Sequence, residues 1–97
     1  MGTIPLDEYI VDVLMPDLVG HDRQPAAFLV FMCLWRNTLG RTWAGISLRQ
    51  ISEGTGLSKR AVQSGLGRLA KRGLISVRRE SITAIPEYCI HRPWRRS

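Results

Sequence analysis

Five side chains able to grip an anion or a base edge recur along one short stretch: Arg60, Gln63, Ser64, Arg68 and Lys71. At 100° per residue they fall, together with Gly67, on one side of a helix, while Val62, Gly65, Leu66, Leu69 and Gly73 fall on the other. Arginine presents a fork of donors that can hold guanine, glutamine can donate to and accept from adenine, and lysine offers a point charge to phosphate. One face of such a helix is core. The other suits the backbone and base edges of a nucleic acid.

The elements that must position this face run from Ser47 to Ile75. Gly56-Leu57-Ser58 separates a short apolar-periodic segment from a longer one, and Ser58 is a good N-cap for the second because its hydroxyl can accept from the free N–H groups of a first turn. Ser47 stands in the same relation to the helix Leu48 to Gly54. The segment resembles the helix-turn-helix of winged-helix DNA-binding proteins, as found in the MarR-like regulators and the N-terminal domains of phage replication proteins. The run Thr55-Gly56-Leu57-Ser58-Lys59-Arg60-Ala61-Val62-Gln63, followed by Leu66, Leu69 and Gly73-Leu74-Ile75, carries the resemblance. Ser52 departs from it, since such helices usually place a small apolar residue there. Gly65 and Gly67 are also unusual, each costing about 1 kcal/mol relative to Ala inside a helix. Gly65 reads as a site of close helix packing. Gly67 reads either as incidental or as bare backbone that lets a DNA groove approach.

The resemblance implies a mainly α fold with a small β-wing: a three-helix core, a short strand, a C-terminal hairpin and an N-terminal helical or strand extension. It implies double-stranded DNA as partner, with Ser58 to Arg72 in the major groove. The candidate DNA-binding residues are Ser47, Ser58, Lys59, Arg60, Gln63, Ser64, Arg68, Lys71, Arg78 and Arg79.

Charge agrees with that partner. The net charge is +6, but residues 1 to 22 hold five acidic residues and no Lys or Arg, whereas residues 51 to 97 hold ten basic residues against three acidic ones. Cations concentrated on one motif and its flank are what release of counterions from phosphate requires. A solvated surface is the bland alternative, and it fits scattered charges better than clustered ones.

The 97 residues, 44% of them hydrophobic, predict a single domain, divided into an extension (1–22), the helix-turn-helix (47–73), a hairpin (74–91) and a basic tail (92–97). Leu6, Tyr9, Ile10, Val13 and Leu14 have helical spacing between Pro5 and Pro16, but Tyr9 to Leu14 is also rich in strand formers, so helix and strand both stay open. Pro16 is suited to end such a helix, and Pro16 to Asp22 then reads as a turn or a single helical turn. Gln24 to Leu39 is expected to be the central helix, apolar nearly all round from Ala26 to Trp35. Phe28, Phe31, Met32 and Trp35, with Leu6, Tyr9, Ile10 and Val13, offer more apolar surface than one small core accommodates. A homodimer through the N-terminal segment and this helix would cover it, and so would a monomer that folds the segment back.

Arg41 to Gly45 is expected to be a loop, and Ile46-Ser47-Leu48 a short strand. Leu74 to Val77 and Ile82 to His91 read as hairpin strands around a turn at Arg78 to Ser81, with Pro86 forcing an edge or a bulge. In the tail, Trp94 either pins the chain to the domain or leaves Arg92, Arg95 and Arg96 to lie along DNA.

Catalysis, cofactors and metals are not expected. His21 and His91 look isolated, no carboxylate pairs with them, and no glycine-rich phosphate loop follows a strand. Cys89 and His91 share a strand face, but Cys33 and His21 are too distant in sequence to complete a zinc set. The two cysteines, the lack of a cleavable leader and the ten-residue limit of the longest apolar run predict a reduced, cytoplasmic protein off the membrane. The resemblance implies a transcriptional regulator of a bacterium or phage, with a replication or partition factor as the alternative within DNA binding and a platform for protein partners as the alternative to it. The outer face of Arg60, Gln63, Ser64, Arg68 and Lys71 lacks the large apolar residues such a platform uses.

Overall fold

A computed structural model describes residues 2–95. Its chain is mainly helical, with one small antiparallel sheet. The N-terminal segment is helical, not extended: after a first turn at Glu8 it winds through two wide segments, π1 (Ile10–Leu14) and π2 (Pro16–His21), in which Met15 N–H reaches the Ile10 carbonyl and Asp22 N–H the Asp17 carbonyl. The expectation that Pro16 ends the element is therefore corrected. A proline has no N–H to donate and its ring collides with a preceding carbonyl in a tight α-turn; the wider i→i+5 spacing opens the turn and lets the chain continue. Ile10, Leu14 and Leu18 are buried along one side of this run.

Helix α1 (Pro25–Asn37) follows, with proline in its first turn. Ala27, Val30, Phe31, Leu34 and Trp35 are buried, while Phe28, Met32 and Cys33 pack half-buried against the core. It touches π2, α2 (Leu48–Thr55) and α3 (Lys59–Lys71), so it is the central helix. Of the apolar surplus, Ile10, Phe31 and Trp35 are buried within one chain, where the N-terminal segment lies back over α1, and Phe28 and Met32 are half-buried, whereas Leu6, Tyr9 and Val13 stay exposed.

That segment is fastened at both ends. The Trp35 indole donates to the Pro5 carbonyl at 2.8 Å, and Tyr9 stacks on Trp94 with ring centroids 4.8 Å apart. The Trp94 indole donates to Asp7 at 3.0 Å, and Arg95 pairs with the same carboxylate. Of the two readings of the tail, the structure has Trp94 pinning it to the domain; Arg92 lies 4.6 Å from the Trp35 ring. Arg96 and Ser97 lie outside the described residues.

Strands β1 (Ala44–Gly45), β2 (Ile75–Arg78) and β3 (Glu87–Ile90) form the sheet in the order β1-β3-β2. Ala44 pairs with Tyr88, and the hairpin register runs from Ile75 opposite Ile90 to Arg78 opposite Glu87. Three expectations are corrected here. The first strand is Ala44–Gly45, not Ile46 to Leu48, because Ser47 leaves the strand to cap α2 and Ile46 contributes only its N–H, to the Pro86 carbonyl. The returning strand begins at Glu87, not Ile82. It is also the central strand of the sheet; Pro86, which has no N–H, is kept just outside the ladder instead of at an edge or in a bulge.

Candidate nucleic-acid interface

Helix α3 is set by its two ends. Ser58 caps the first turn, its hydroxyl accepting from Ala61 N–H at 3.1 Å. At the other end, Leu74 N–H bonds the Leu69 carbonyl and Gly73 N–H the Ala70 carbonyl, with Gly73 at φ 71°, the left-handed closure that glycine supplies. Ser47 caps α2 reciprocally: Gln50 N–H donates to its hydroxyl at 3.1 Å, and its own N–H donates to the Gln50 side chain at 2.8 Å. Between the helices, Ser52 donates to the Leu57 carbonyl at 2.6 Å, which accounts for a polar residue where the resemblance leads one to expect an apolar one.

The buried side of α3 is Val62, Gly65 and Leu69, with Leu66 half-buried beside them. Gly65 is the point of closest approach to α1: a Cβ there would lie 3.2 Å from the Ala26 carbonyl oxygen, from the Ala27 Cα and from Val30. A Cβ at Gly67 would meet nothing within 4 Å. On the outer side Lys59, Arg60, Gln63, Ser64, Gly67 and Lys71 are exposed and Arg68 is half-buried. Among the described residues no carboxylate forms an ion pair with Lys59, Arg60, Arg68 or Lys71. The hydroxyls of Ser47 and Ser58 accept from helix N–H groups and so keep their own protons free to donate outward.

Other cations that sequence alone placed on the same footing are engaged. Arg72, the C-cap of α3, turns back to the N-terminal segment, donating to Asp22 at 2.8 Å and to Asp17. Arg72 hydrogen bonding, helped by His21 and opposed by partial burial, holds the Asp22 carboxyl below its ordinary value. At Asp7 burial pushes the carboxyl up, but the Trp94 indole and the Arg95 guanidinium together outweigh it and the net shift is downward. The place of Arg78 is also corrected. It is the last residue of β2, not part of the turn; its guanidinium bonds Glu87 across the hairpin at 2.9 Å and lies 4.0 Å from the Trp43 ring. Arg79 is the residue that enters the turn, where it donates to the Ile82 carbonyl at 3.3 Å.

Between the N-terminal half of α3 and residues 79 to 86 lies a cleft of about 390 Å³. Ser47, Gln63, Arg79 and Thr83 supply its polar atoms, while Leu66, Ile85 and Tyr88 form apolar walls. Nothing in the sequence pattern marks this cleft, since its two walls meet only when the hairpin packs beside α3.

Two readings of the histidines also change. His21 is not isolated: its Nδ1 lies 3.3 Å from Asp22 and 3.7 Å from Asp17, and one ligand atom from each of the three falls within a 4.8 Å cluster. The same two carboxylates already balance the Arg72 charge, so a divalent ion there would compete with a guanidinium in place. His91 Nε2 sits 2.5 Å from the Ser76 hydroxyl, but both groups are on the surface and outside the cleft described. Burial raises the Cys33 thiol, which keeps it protonated and slow as a nucleophile. No helix among the described residues is long and apolar enough to cross a membrane. No family model, curated protein or solved structure matches the chain.

Proposed function

We propose that this chain is a winged helix-turn-helix domain that binds double-stranded DNA in a sequence-specific manner, as a cytoplasmic transcriptional regulator of a bacterium or phage. Helix α3 with its caps, Ser58 to Arg72, lies in the major groove, and the β2–β3 hairpin meets the flanking backbone or minor groove. The observation that carries this reading is the sorting of the cations. Arg72, Arg78 and Arg95 are consumed by carboxylates, while Lys59, Arg60, Arg68 and Lys71 stand unpaired on one helix. A surface built only for solubility gains nothing from such sorting, whereas a phosphate-binding surface loses affinity for every cation neutralised from within.

Arg60 and Gln63, in the first half of α3, are the base readers, because the N-terminal part of a recognition helix reaches the base edges. Ser47, Ser58, Lys59, Ser64, Arg68, Lys71 and Arg79 position the backbone. Arg78 supports the hairpin and does not touch DNA in this reading. Leu6, Tyr9, Val13 and Leu29 stay exposed on the N-terminal segment and α1, so a homodimer through these elements remains compatible with the reading, which holds for one copy as well. A salt titration of duplex binding tests it: with about five phosphates met, affinity falls about 500-fold between 50 and 200 mM salt. Absence of a mobility shift with any duplex at low salt would overturn it.

A further inference from the structure

Among the described residues the most exposed large apolar side chain is Ile82, at 90%, in the loop between β2 and β3. The loop is a built structure. Ala84 N–H donates to the Ser81 carbonyl at 3.2 Å, closing a turn with Ile82 and Thr83 at its corners. The Arg79 guanidinium holds the Ile82 carbonyl from below, and the Ser81 and Thr83 hydroxyls are 3.3 Å apart. Turn chemistry favours Pro, Asp, Asn or Gly at such corners, so it does not account for a β-branched apolar residue held out in water. Charge does not account for it either, because Arg79 and Glu80 cancel just before the tip.

The surroundings suggest what the tip meets. In duplex DNA a single sugar–phosphate strand separates a major groove from the neighbouring minor groove. With α3 in the major groove, the cleft between α3 and the loop is the channel for that strand, and its walls offer it Ser47, Arg79 and Thr83 as donors beside the apolar Leu66, Ile85 and Tyr88. The loop tip then stands on the far side of the strand, over the minor groove. Resting on the DNA-binding reading, we propose that Ile82 is an apolar wedge that enters the minor groove, partly unstacks one base step and bends the duplex toward α3. Apolar side chains inserted from the minor groove kink DNA toward the major groove, and the deformation is easiest at pyrimidine–purine steps. The wedge therefore adds sequence preference at a position that no polar side chain contacts.

The test uses the full chain and a duplex of about 30 bp recovered with it from a random pool, carrying dyes at both ends and 2-aminopurine at successive positions. Binding should shorten the end-to-end distance and raise the 2-aminopurine signal at one step beside the α3 site. Ile82→Ser should abolish both signals and weaken binding about tenfold, with the salt dependence and the melting temperature unchanged. Ile82→Met should keep both signals, since the longer apolar chain still reaches the step. A wild-type complex on straight DNA, or an Ile82→Ser complex bent as strongly as the wild type, overturns the wedge and leaves the DNA-binding reading standing. Recovery of no duplex at all overturns that reading, and the wedge with it.

Discussion

Lys71 and Arg72 are neighbours in the chain and opposite in circumstance. Lys71 ends α3 with its charge in water, whereas Arg72 turns back into a clasp with Asp17 and Asp22 of the N-terminal segment. The same contrast divides the molecule. At the two termini, acidic and aromatic groups engage cations: Asp7 takes Arg95 and the Trp35 ring seats Arg92, while Tyr9 stacks on Trp94. On the outer face of α3 the cations are bare. The difference teaches that Asp7, Asp17 and Asp22 of the acidic N-terminal segment serve the fold from within. They are an internal counter-charge that holds Arg72 and Arg95, while Lys59, Arg60, Arg68 and Lys71 keep the outer face of α3 positive.

The sharpest way to break this contrast is to neutralise each set separately. Replacing Lys59, Arg68 and Lys71 together by Gln should lower duplex affinity about 500-fold at 0.1 M salt and leave thermal stability almost unchanged. Replacing Arg72, Arg78 and Arg95 should do the reverse. Equal losses of DNA affinity from the two triple variants, measured by fluorescence anisotropy, would show that the ion pairs do not sort the cations functionally.

Within the bare set, readers and positioners should separate. Arg60→Ala or Gln63→Ala should cost about 1–3 kcal/mol on the selected site and little on random duplex, while Arg79→Ala should weaken both alike. Competition binding with the two duplexes distinguishes these. If Arg60→Ala weakened cognate and random DNA equally, base readout would not lie at that position.

The two glycines of α3 give a comparison within one helix. Gly65→Ala forces a methyl against two backbone atoms of α1 that cannot easily move, and should destabilise by about 1–3 kcal/mol. Gly67→Ala meets open space and should stabilise by about 1 kcal/mol through helix propensity. Urea melts of both variants report the signs. A stabilising Gly65→Ala would mean that the α1–α3 approach is looser than its 3.2 Å contacts indicate.

The smallest effect expected is the pH response of the clasps. Asp7 and Asp22 both titrate below their ordinary value of 3.8 in the folded chain, so on acidification the unfolded chain takes up protons first. Their contribution to stability is therefore complete well above pH 3.8 and fades as the pH falls through the lower folded values. Arg72→Met should lower the melting temperature at neutral pH, and its difference from the wild type should shrink in acid. A difference that stayed constant across the acid range would show that Arg72 acts through packing alone.

Much of the fold was legible because it is written in local pattern. The caps Ser47 and Ser58, the apolar stripe of Val62, Gly65 and Leu69, the glycine closures at Gly56 and Gly73 and the paired strands after Leu74 all depend on groups a few residues apart. The misreadings came where a local rule had two outcomes. Pro16 can end a helix or widen it, and the neighbouring turns decided for widening. Ser47 can extend a strand or cap a helix, and the reciprocal bonds with Gln50 decided for the cap. Arg78 can crown a turn or close a ladder, and Glu87 opposite it with Trp43 beneath decided for the ladder.

The sequence by itself determined a helix with one apolar and one cationic face, the turn before it and the hairpin after it, because backbone hydrogen bonding imposes periods of 3.6 and 2 on any chain that must bury one side. Only the tertiary structure decided which cations remain free. Arg72 meets partners 50 and 55 residues away, and Trp94 meets Asp7 across 87 residues. No periodicity encodes such pairings. They follow from how α1 draws both termini over its surface, since a buried or half-buried carboxylate must find a donor wherever packing brings one.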